Sequence, residues 1–119
     1  MIFGIGADLV ELSRIKKIFD RFGDHFAQKL LMAEELESFY KNKNPIRFLG
    51  MRFAAKEAIV KAMGTGFSKD IWIKDVGINN LQSGKPITIF SDRGLKKLEK
   101  LDINNIQISL SDEAGLVMA

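Results

Sequence analysis

The spacing of apolar residues changes several times along the chain, and each change predicts a new element. Residues 2–10 are short, β-branched and punctuated by glycine, which predicts a strand. From Glu11 the apolar residues recur at helical spacing, which predicts an amphipathic helix that ends near Gly23. Two further short helices are predicted over about 24–31 and 33–41.

The second half of the chain opens with the strongest helix signal. Asn44 and Pro45 predict the start of a long helix, and Gly64 predicts its end after Met63. Alternating residues and turn signals then predict strands at 71–78 and 86–90, a helix from Ser91-Asp92 to about Lys100, and strands at 106–110 and 115–119. This order lacks repeated β-α-β units, so it predicts one small α+β domain over residues 1–119, with an antiparallel sheet packed against a long central helix.

Composition narrows the class of protein. The chain has 119 residues, 46% of them hydrophobic, and two prolines, which predicts an ordinary folded domain and excludes intrinsic disorder. It has no cysteine, which excludes disulfides, thiolate metal sites and cysteine nucleophiles. No apolar run approaches the roughly 18 residues of a membrane span, so we expect a cytoplasmic protein. A net charge of +3 favours an anionic ligand or an acidic partner.

The predicted long helix carries charged residues among its apolar positions. Arg52 and Lys56 fall on the apolar side, where a charge is costly to bury unless it is paired or bound to a ligand. One interpretation is a set of internal ion pairs, Glu57 with Lys61 and Arg52 with a carboxylate elsewhere. The other is a phosphate site in which Arg52, Lys56 and Lys61 bind a polyanion and Glu57 holds a divalent cation. Spacing alone leaves both interpretations open.

The far side of the same helix is made of small residues. These allow another backbone to approach closely, so we expect the helix to pack on both sides. They are Gly50, Ala54, Ala58 and Ala62.

Asp8 stands inside an otherwise apolar predicted strand, where aspartate is disfavoured. Together with Glu57 it could supply oxygen ligands to Mg²⁺, which takes its remaining ligands from water and substrate phosphates. The alternative is that Asp8 caps the following helix or pairs with a lysine, and the pattern does not choose between the two.

Other residues and motifs argue against a hydrolase and against dinucleotide binding. His25 is the only histidine, and its place between two short helices predicts a surface position, which argues against a Ser-His-Asp hydrolase. The glycines at 4 and 6 lack the third glycine of a dinucleotide-binding motif. Phe67 and Trp72 are expected in the core or lining a cleft.

Four segments, GIGADLVELSRI, RFAAKEAIVKAMGTG, SGKP and ISLSDE, together resemble the holo-[acyl-carrier-protein] synthase family, the small bacterial 4'-phosphopantetheinyl transferases. Their order and spacing match over essentially the whole chain. The resemblance implies the fold of that family and a Mg²⁺-dependent transfer of 4'-phosphopantetheine from coenzyme A to a serine of apo acyl carrier protein. The reaction belongs to fatty acid biosynthesis and releases adenosine 3',5'-bisphosphate. The family also implies a homotrimer with active sites between neighbouring subunits.

The resemblance further implies roles for individual residues. Asp8 and Glu57 would be the metal ligands and, with Lys61, the catalytic residues, and either carboxylate is a candidate for the base. The implied coenzyme A-binding residues are Arg47, Arg52, Lys56, Lys61, Gly64, Thr65, Gly66 and Ser109. Two positions depart from the family pattern, because Gln107 and Asp112 stand where many members have histidine.

The first predicted helix carries a basic stripe formed by Arg14, Lys17 and Arg21. Such a stripe is either a solvated face or a docking surface, and the resemblance favours docking of the acidic acyl carrier protein. Two rival functions remain. One is a non-catalytic nucleic-acid-binding module, suggested by a pI near 9.2. The other is an inactive relative kept as an assembly subunit, suggested by Gln107.

Overall fold

Five α-helices and five short strands make up the computed structural model, which describes all residues from 1 to 119. The helices are α1 (Leu12–Phe22), α2 (Asp24–Leu30), α3 (Ala33–Tyr40), α4 (Pro45–Met63) and α5 (Asp92–Lys100). The strands are β1 (Leu9–Glu11), β2 (Val76–Asn80), β3 (Pro86–Phe90), β4 (Ser111–Glu113) and β5 (Leu116–Met118), and a 3₁₀ turn spans Ile73–Asp75. The predicted α+β class is confirmed. None of the helices combines the length and apolar character needed to cross a membrane.

The long helix α4 has the boundaries that its sequence predicts. The Asn44 side-chain oxygen accepts a hydrogen bond from the Arg47 amide at 3.2 Å, so it caps the free amino end of the helix. Gly64 ends the helix in the left-handed conformation, with φ of 76°, which favours glycine.

The strands form two antiparallel sheets. In the first, β5 lies between β1 and β4, and Met118 pairs with Leu9 on one side and Ser111 on the other. Asp8 and Ala119 exchange two backbone hydrogen bonds of 3.0 and 3.1 Å, which fixes the position of Asp8 at the entrance to β1. The second sheet is the β2–β3 hairpin.

Helix α4 packs on both sides, as expected from its small residues. One core cluster lies between α4, α1 and the first sheet, and the other lies between α4 and the β2–β3 hairpin. The backbone at Gly4 and Gly6 lies directly on α4. A methyl group on Gly6 would overlap the Ala58 carbonyl oxygen, and one on Gly4 would overlap the Ala62 carbonyl oxygen. Glycine is therefore required for this close approach.

Three predicted strands are shorter or absent. Residues 2–8 and 106–110 belong to no strand, and residues 71–75 form an isolated bridge and the 3₁₀ turn. The prediction was wrong there because a strand needs a hydrogen-bonding partner, and alternation in the sequence does not supply one. Residues 2–6 and 106–109 of the first two segments instead line a groove of about 580 Å³ together with Ala58 and Ala62.

Candidate active site

Asp8 and Lys61 join the segment before β1 to the last turn of α4. Lys61 Nζ donates hydrogen bonds to Asp8 Oδ1 and to the Ala7 carbonyl oxygen, both at 3.0 Å. The Asp8 side chain is 15% exposed and that of Lys61 is 50% exposed, so the pair lies at an open edge. Asp8 thus pairs with a lysine, one of the alternatives left open by the sequence, and Glu11, not Asp8, occupies the N-cap of α1.

Glu57 lies one helical turn before Lys61 and is half-buried. Burial raises the pKa of Glu57, the negative charge of Asp8 raises it further, and Lys61 opposes the shift. The two predicted metal ligands are therefore close enough to repel each other. The expected Glu57–Lys61 ion pair is not present, because Lys61 pairs with Asp8.

The donor set at this position fits a hard divalent cation. Two carboxylates are ligands that Mg²⁺ accepts, and a cation between them would relieve their repulsion. The chain has no group of three or more histidine, cysteine or acidic side chains able to hold a metal. A cation held by Asp8 and Glu57 would therefore take its other ligands from water and from substrate phosphates.

Arg52 and Lys56 point into the protein rather than towards this edge. Lys56 is fully buried, and its ammonium donates to Glu35 Oε1 at 2.7 Å, to the Leu30 carbonyl at 2.5 Å and to the Ile73 carbonyl at 3.1 Å. Burial lowers the pKa of Lys56, and Glu35 opposes that shift. All three ammonium protons have acceptors within the protein, so Lys56 joins parts of the fold here, and its expected contact with a phosphate stays a prediction.

Arg52 is paired in the way that the internal ion-pair interpretation expected. Its Nε lies 3.3 Å from Glu35 Oε2, Nη2 donates to the Asn80 side chain at 3.3 Å, and the guanidinium stacks on Phe48 at 4.2 Å from the ring centre. The residue is only 5% exposed. In this structure Arg52 therefore does not reach an open surface where a phosphate would bind.

Glu35 is the residue that the sequence reasoning missed. It is fully buried, and besides the two cations it accepts hydrogen bonds from the backbone amides of Met32 and Ile78, each at 3.0 Å. Its place in the first turn of α3 is a local signal for capping. No local signal pointed to its pairing with α4, because that contact depends on the tertiary fold.

Arg47, an expected phosphate ligand, is held by Asp112. The two side chains form a bidentate pair, with Arg47 Nε and Nη2 at 2.8 and 3.0 Å from the carboxylate oxygens. A hydrogen bond from Arg47 lowers the pKa of Asp112. Arg47 remains about half exposed. The aspartate that departs from the family pattern therefore neutralises a nearby cation.

The remaining expected contacts lie in two places. The loop of Gly64, Thr65 and Gly66 follows Lys61 directly, and the amides of Thr65 and Gly66 both donate to the Val60 carbonyl at 3.2 Å. Ser109 instead lines the groove of about 580 Å³, whose lining does not include Asp8, Glu57 or Lys61. None of the three residues Asp8, Glu57 and Lys61 therefore lines this groove.

The structure also shows where Phe67, Trp72 and His25 lie relative to the core and the surface. Phe67 and Trp72 form an edge-to-face pair with ring centres 5.9 Å apart. Phe67 packs against the second core cluster, whereas Trp72 is 56% exposed, so of the two expected positions, core or cleft lining, the core is excluded for Trp72 and cleft lining stays a prediction. His25 is exposed, which confirms its predicted surface position.

The basic stripe on α1 is exposed along its whole length. Arg14, Lys17 and Arg21 face solvent, and none of them forms an ion pair. Ile18 and Phe22, beside them, also expose apolar surface. Helix α1 begins four residues after Asp8 in the sequence.

Comparison with known proteins defines the class to which this arrangement belongs. Residues 4–114 match the family model of the 4'-phosphopantetheinyl transferase superfamily, and the chain belongs to that superfamily. Among its curated relatives is the holo-[acyl-carrier-protein] synthase of Vibrio cholerae, which is 41% identical over 119 residues, covering 100% of this chain and 94% of the relative. That of Blochmanniella floridana is 45% identical over 112 residues, covering 94% of this chain and 90% of the relative.

Solved structures support the same placement. The crystal structure of holo-[acyl-carrier-protein] synthase from Neisseria meningitidis superposes with a TM-score of 0.95 at 40% identity, covering 99% of this chain and 94% of that one. The Bacillus anthracis enzyme in complex with CoA (3',5'-ADP) superposes with a TM-score of 0.82 at 33% identity, covering 99% and 92%. The expected family and fold are confirmed.

Proposed function

We propose that the chain transfers 4'-phosphopantetheine from coenzyme A to a serine of apo acyl carrier protein, in support of fatty acid biosynthesis. The observation that carries this proposal is the meeting of Asp8, Glu57 and Lys61 at one open edge, in a member of the phosphopantetheinyl transferase superfamily. The complex of the Bacillus anthracis relative supports coenzyme A as the donor. The cytoplasmic location expected from the sequence stays a prediction.

In the proposed reaction the serine oxygen attacks the pantetheine-side phosphorus of the coenzyme A diphosphate. A new phosphorus–oxygen bond forms, the bond to the bridging oxygen breaks, and adenosine 3',5'-bisphosphate leaves with the bridging oxygen. Such phosphoryl transfer depends on positioning and charge neutralisation more than on a covalent intermediate. Asp8 and Glu57 would hold Mg²⁺, and that ion would offset the charge that develops on the diphosphate oxygens.

Lys61 supplies the second positive charge at this edge. Its ammonium uses two protons on Asp8 and the Ala7 carbonyl, so one remains for a phosphate oxygen. A donor held in place before the substrate arrives stabilises developing charge without reorganisation. We assign Lys61 to the diphosphate. The serine proton goes to Asp8 or Glu57, directly or through a water molecule.

We assign a further phosphate contact to an arginine of α4 on the basis of its exposure to solvent. Arg47 is half exposed and is the accessible arginine on α4, so we propose that it contacts a phosphate of coenzyme A in exchange for Asp112. The Gly64, Thr65 and Gly66 loop follows Lys61 and would border the bound ligand. For Ser109, in the separate groove, a contact with coenzyme A stays a prediction.

The carrier would dock on α1. Arg14, Lys17 and Arg21 present unpaired positive charge, and Ile18 and Phe22 add apolar contact area. An acidic partner would be steered to this surface and oriented with its serine towards Asp8.

We also propose a homotrimer with active sites between neighbouring subunits. The outer face of the first sheet exposes apolar side chains that nothing in the chain covers. They are Leu9 (61% exposed), Leu116 (39%) and Met118 (55%), which lie on the same face of paired strands. A continuous apolar surface of this kind marks an interface between proteins.

The reaction is tested by incubating the protein with apo acyl carrier protein, coenzyme A and Mg²⁺, and then weighing the carrier by mass spectrometry. We expect the carrier to gain one phosphopantetheine and adenosine 3',5'-bisphosphate to appear in equal amount. A competent carrier that gains no mass would favour an inactive relative. Tight, salt-sensitive binding of nucleic acid by such an inactive protein would favour the nucleic-acid-binding module.

A further inference from the structure

The buried carboxylate of Glu35 joins three parts of the fold at one point. It accepts hydrogen bonds from the Met32 amide at the N-cap of α3 and from the Ile78 amide of β2, and it forms ion pairs with Lys56 and Arg52 on α4. The carboxylate is completely shielded from solvent.

Lys56 extends these contacts to two further segments. Its ammonium also donates to the Leu30 carbonyl at the end of α2 and to the Ile73 carbonyl in the 3₁₀ turn. Four segments, α2, α3, β2 and the 3₁₀ turn, therefore meet on one side of α4, at the residue next in sequence to Glu57. Buried ion pairs contribute little net stability compared with apolar packing, but they require a defined relative position of the two charged side chains.

The opposite side of α4 is held by a different kind of contact. At about 100° per residue, Ala58 and Ala62 lie far around the helix from Lys56. There the backbone of Gly4 and Gly6 rests on the helix so closely that a methyl group would not fit. Glu57 and Lys61 project between these two faces, so any rotation of α4 would move them relative to Asp8.

We propose that Glu35 is a positioning residue for the active site: by holding Lys56 and Arg52 it fixes the rotation of α4 and so the alignment of Glu57 and Lys61 with Asp8. This inference rests on the proposed transferase function for its kinetic consequence. Its structural consequence, the contact between α4 and Gly4 and Gly6, is independent of that function.

The test replaces the buried pair without leaving an unpaired carboxylate. In Glu35→Gln/Lys56→Met the Gln side-chain oxygen accepts one of the two backbone amides that Glu35 accepts, Met fills the volume of the lysine stem, and Arg52 loses its carboxylate but keeps its contacts with Asn80 and Phe48. The matched control is Glu37→Gln, the same change at an exposed position of α3. Each protein is examined by amide NMR spectra, cooperative thermal unfolding, and steady-state kinetics with coenzyme A and the carrier.

We expect the double variant to remain folded and its Gly4 and Gly6 amide resonances to move, while the control leaves them in place. We expect kcat to fall roughly tenfold or more, because small displacements of reacting groups are costly, and KM for coenzyme A to change less. If only the Ile78 amide resonance moves, while kcat and the Gly4 and Gly6 resonances stay unchanged, Glu35 has only a local structural role. This result would overturn the proposal.

Two further outcomes are distinguishable. If the double variant does not fold, the single variant Lys56→Met, which keeps the Glu35–Arg52 pair, is measured instead. The same changes in the Gly4 and Gly6 resonances and in kcat are expected of it. If the unmodified protein transfers nothing, the proposed function fails, whereas the glycine resonances still decide whether Glu35 positions α4.

Discussion

Lys61 makes two hydrogen bonds with the chain just ahead of β1, and these contacts bring together the residues on which the proposed chemistry depends. Asp8 and Glu57 could be selected from the sequence because an acidic residue among apolar neighbours needs a specific partner. The partner itself was not predictable, since Lys61 has Glu57 one turn away on its own helix and nevertheless pairs with Asp8. Lys56 shows the same limit, because its burial depends on Glu35, 21 positions away in the sequence.

The first residue-scale prediction concerns the carboxylates. We expect Asp8→Ala and Glu57→Ala each to abolish transfer while the protein stays folded, without a large fall in the thermal unfolding midpoint, because neither side chain is part of the apolar core. Turnover is measured by carrier mass against Glu11→Ala, an exposed acid on β1. Activity retained in both variants would mean that the carboxylates are structural.

The second residue-scale prediction concerns pH and stability. Burial and the Asp8 charge raise the pKa of Glu57 above its ordinary value of 4.5, so the folded protein favours the protonated acid. The resulting stability is fully present below pH 4.5 and is lost as the pH rises through the raised pKa. Without added divalent cation, Glu57→Gln should therefore raise the unfolding midpoint near neutral pH and lose this advantage below pH 4.5.

Thermal unfolding at the two pH values measures this difference. Glu99→Gln, an exposed acid on α5, is the control and should show no such dependence. A Glu57→Gln variant that is less stable near neutral pH than below pH 4.5, relative to the parent, would contradict the predicted sign.

At the scale of elements, the ends of a helix could be predicted from the sequence, whereas the pairing of strands could not. The limits of α4 were predictable because Asn44, Pro45 and Gly64 act through their own backbone. Residues 106–110 alternate as a strand should, with Ile106 and Ile108 half-buried on the core side, yet their backbone has no strand partner in the chain. The alternation of apolar and polar residues indicates which side of a segment is buried. It does not report whether a neighbouring strand is present.

The cap of α4 is tested by Asn44→Ala. Loss of the side-chain acceptor for the Arg47 amide should reduce the free energy of unfolding by about 1 kcal/mol. Denaturant unfolding measures the change, and Lys43→Ala, an exposed residue just outside the cap, should leave stability nearly unchanged. Equal effects of the two substitutions would show that the cap contributes nothing.

The basic stripe of α1 is tested by Arg14→Glu/Arg21→Glu. We expect KM for the carrier to rise, strongly at low salt, with little change in KM for coenzyme A, because the stripe lies on a different element from Lys61. Lys96→Glu/Lys100→Glu makes the same change in charge on the exposed side of α5 and serves as the control. A selective loss of coenzyme A affinity would contradict the docking assignment.

At the scale of the whole molecule, the outer face of the first sheet leaves apolar side chains in water. The apolar run Leu116-Val117-Met118 did not indicate which of its side chains are buried, and the structure shows that Val117 is fully buried while Leu116 and Met118 are not. The proposed trimer would cover this face with residues of another subunit, and neither residue pattern nor local structure defines such a contact.

The homotrimer predicts the effect of charges on this face. Leu116→Glu/Met118→Glu should convert a species of three times 13.4 kDa into one of 13.4 kDa, as measured by sedimentation equilibrium. Leu95→Glu, a similarly exposed leucine on α5, should leave the assembly intact. A parent protein that already sediments as a monomer would rule out the trimer.

The most direct test of the central claim is the position of a bound metal. Crystals grown with coenzyme A and Mn²⁺, which stands in for Mg²⁺, would show the ion by anomalous scattering. We predict one anomalous peak per site, bonded to carboxylate oxygens of both Asp8 and Glu57 and to the coenzyme A diphosphate, with Lys61 on a neighbouring phosphate oxygen. A diphosphate bound with its metal away from both carboxylates would contradict the account.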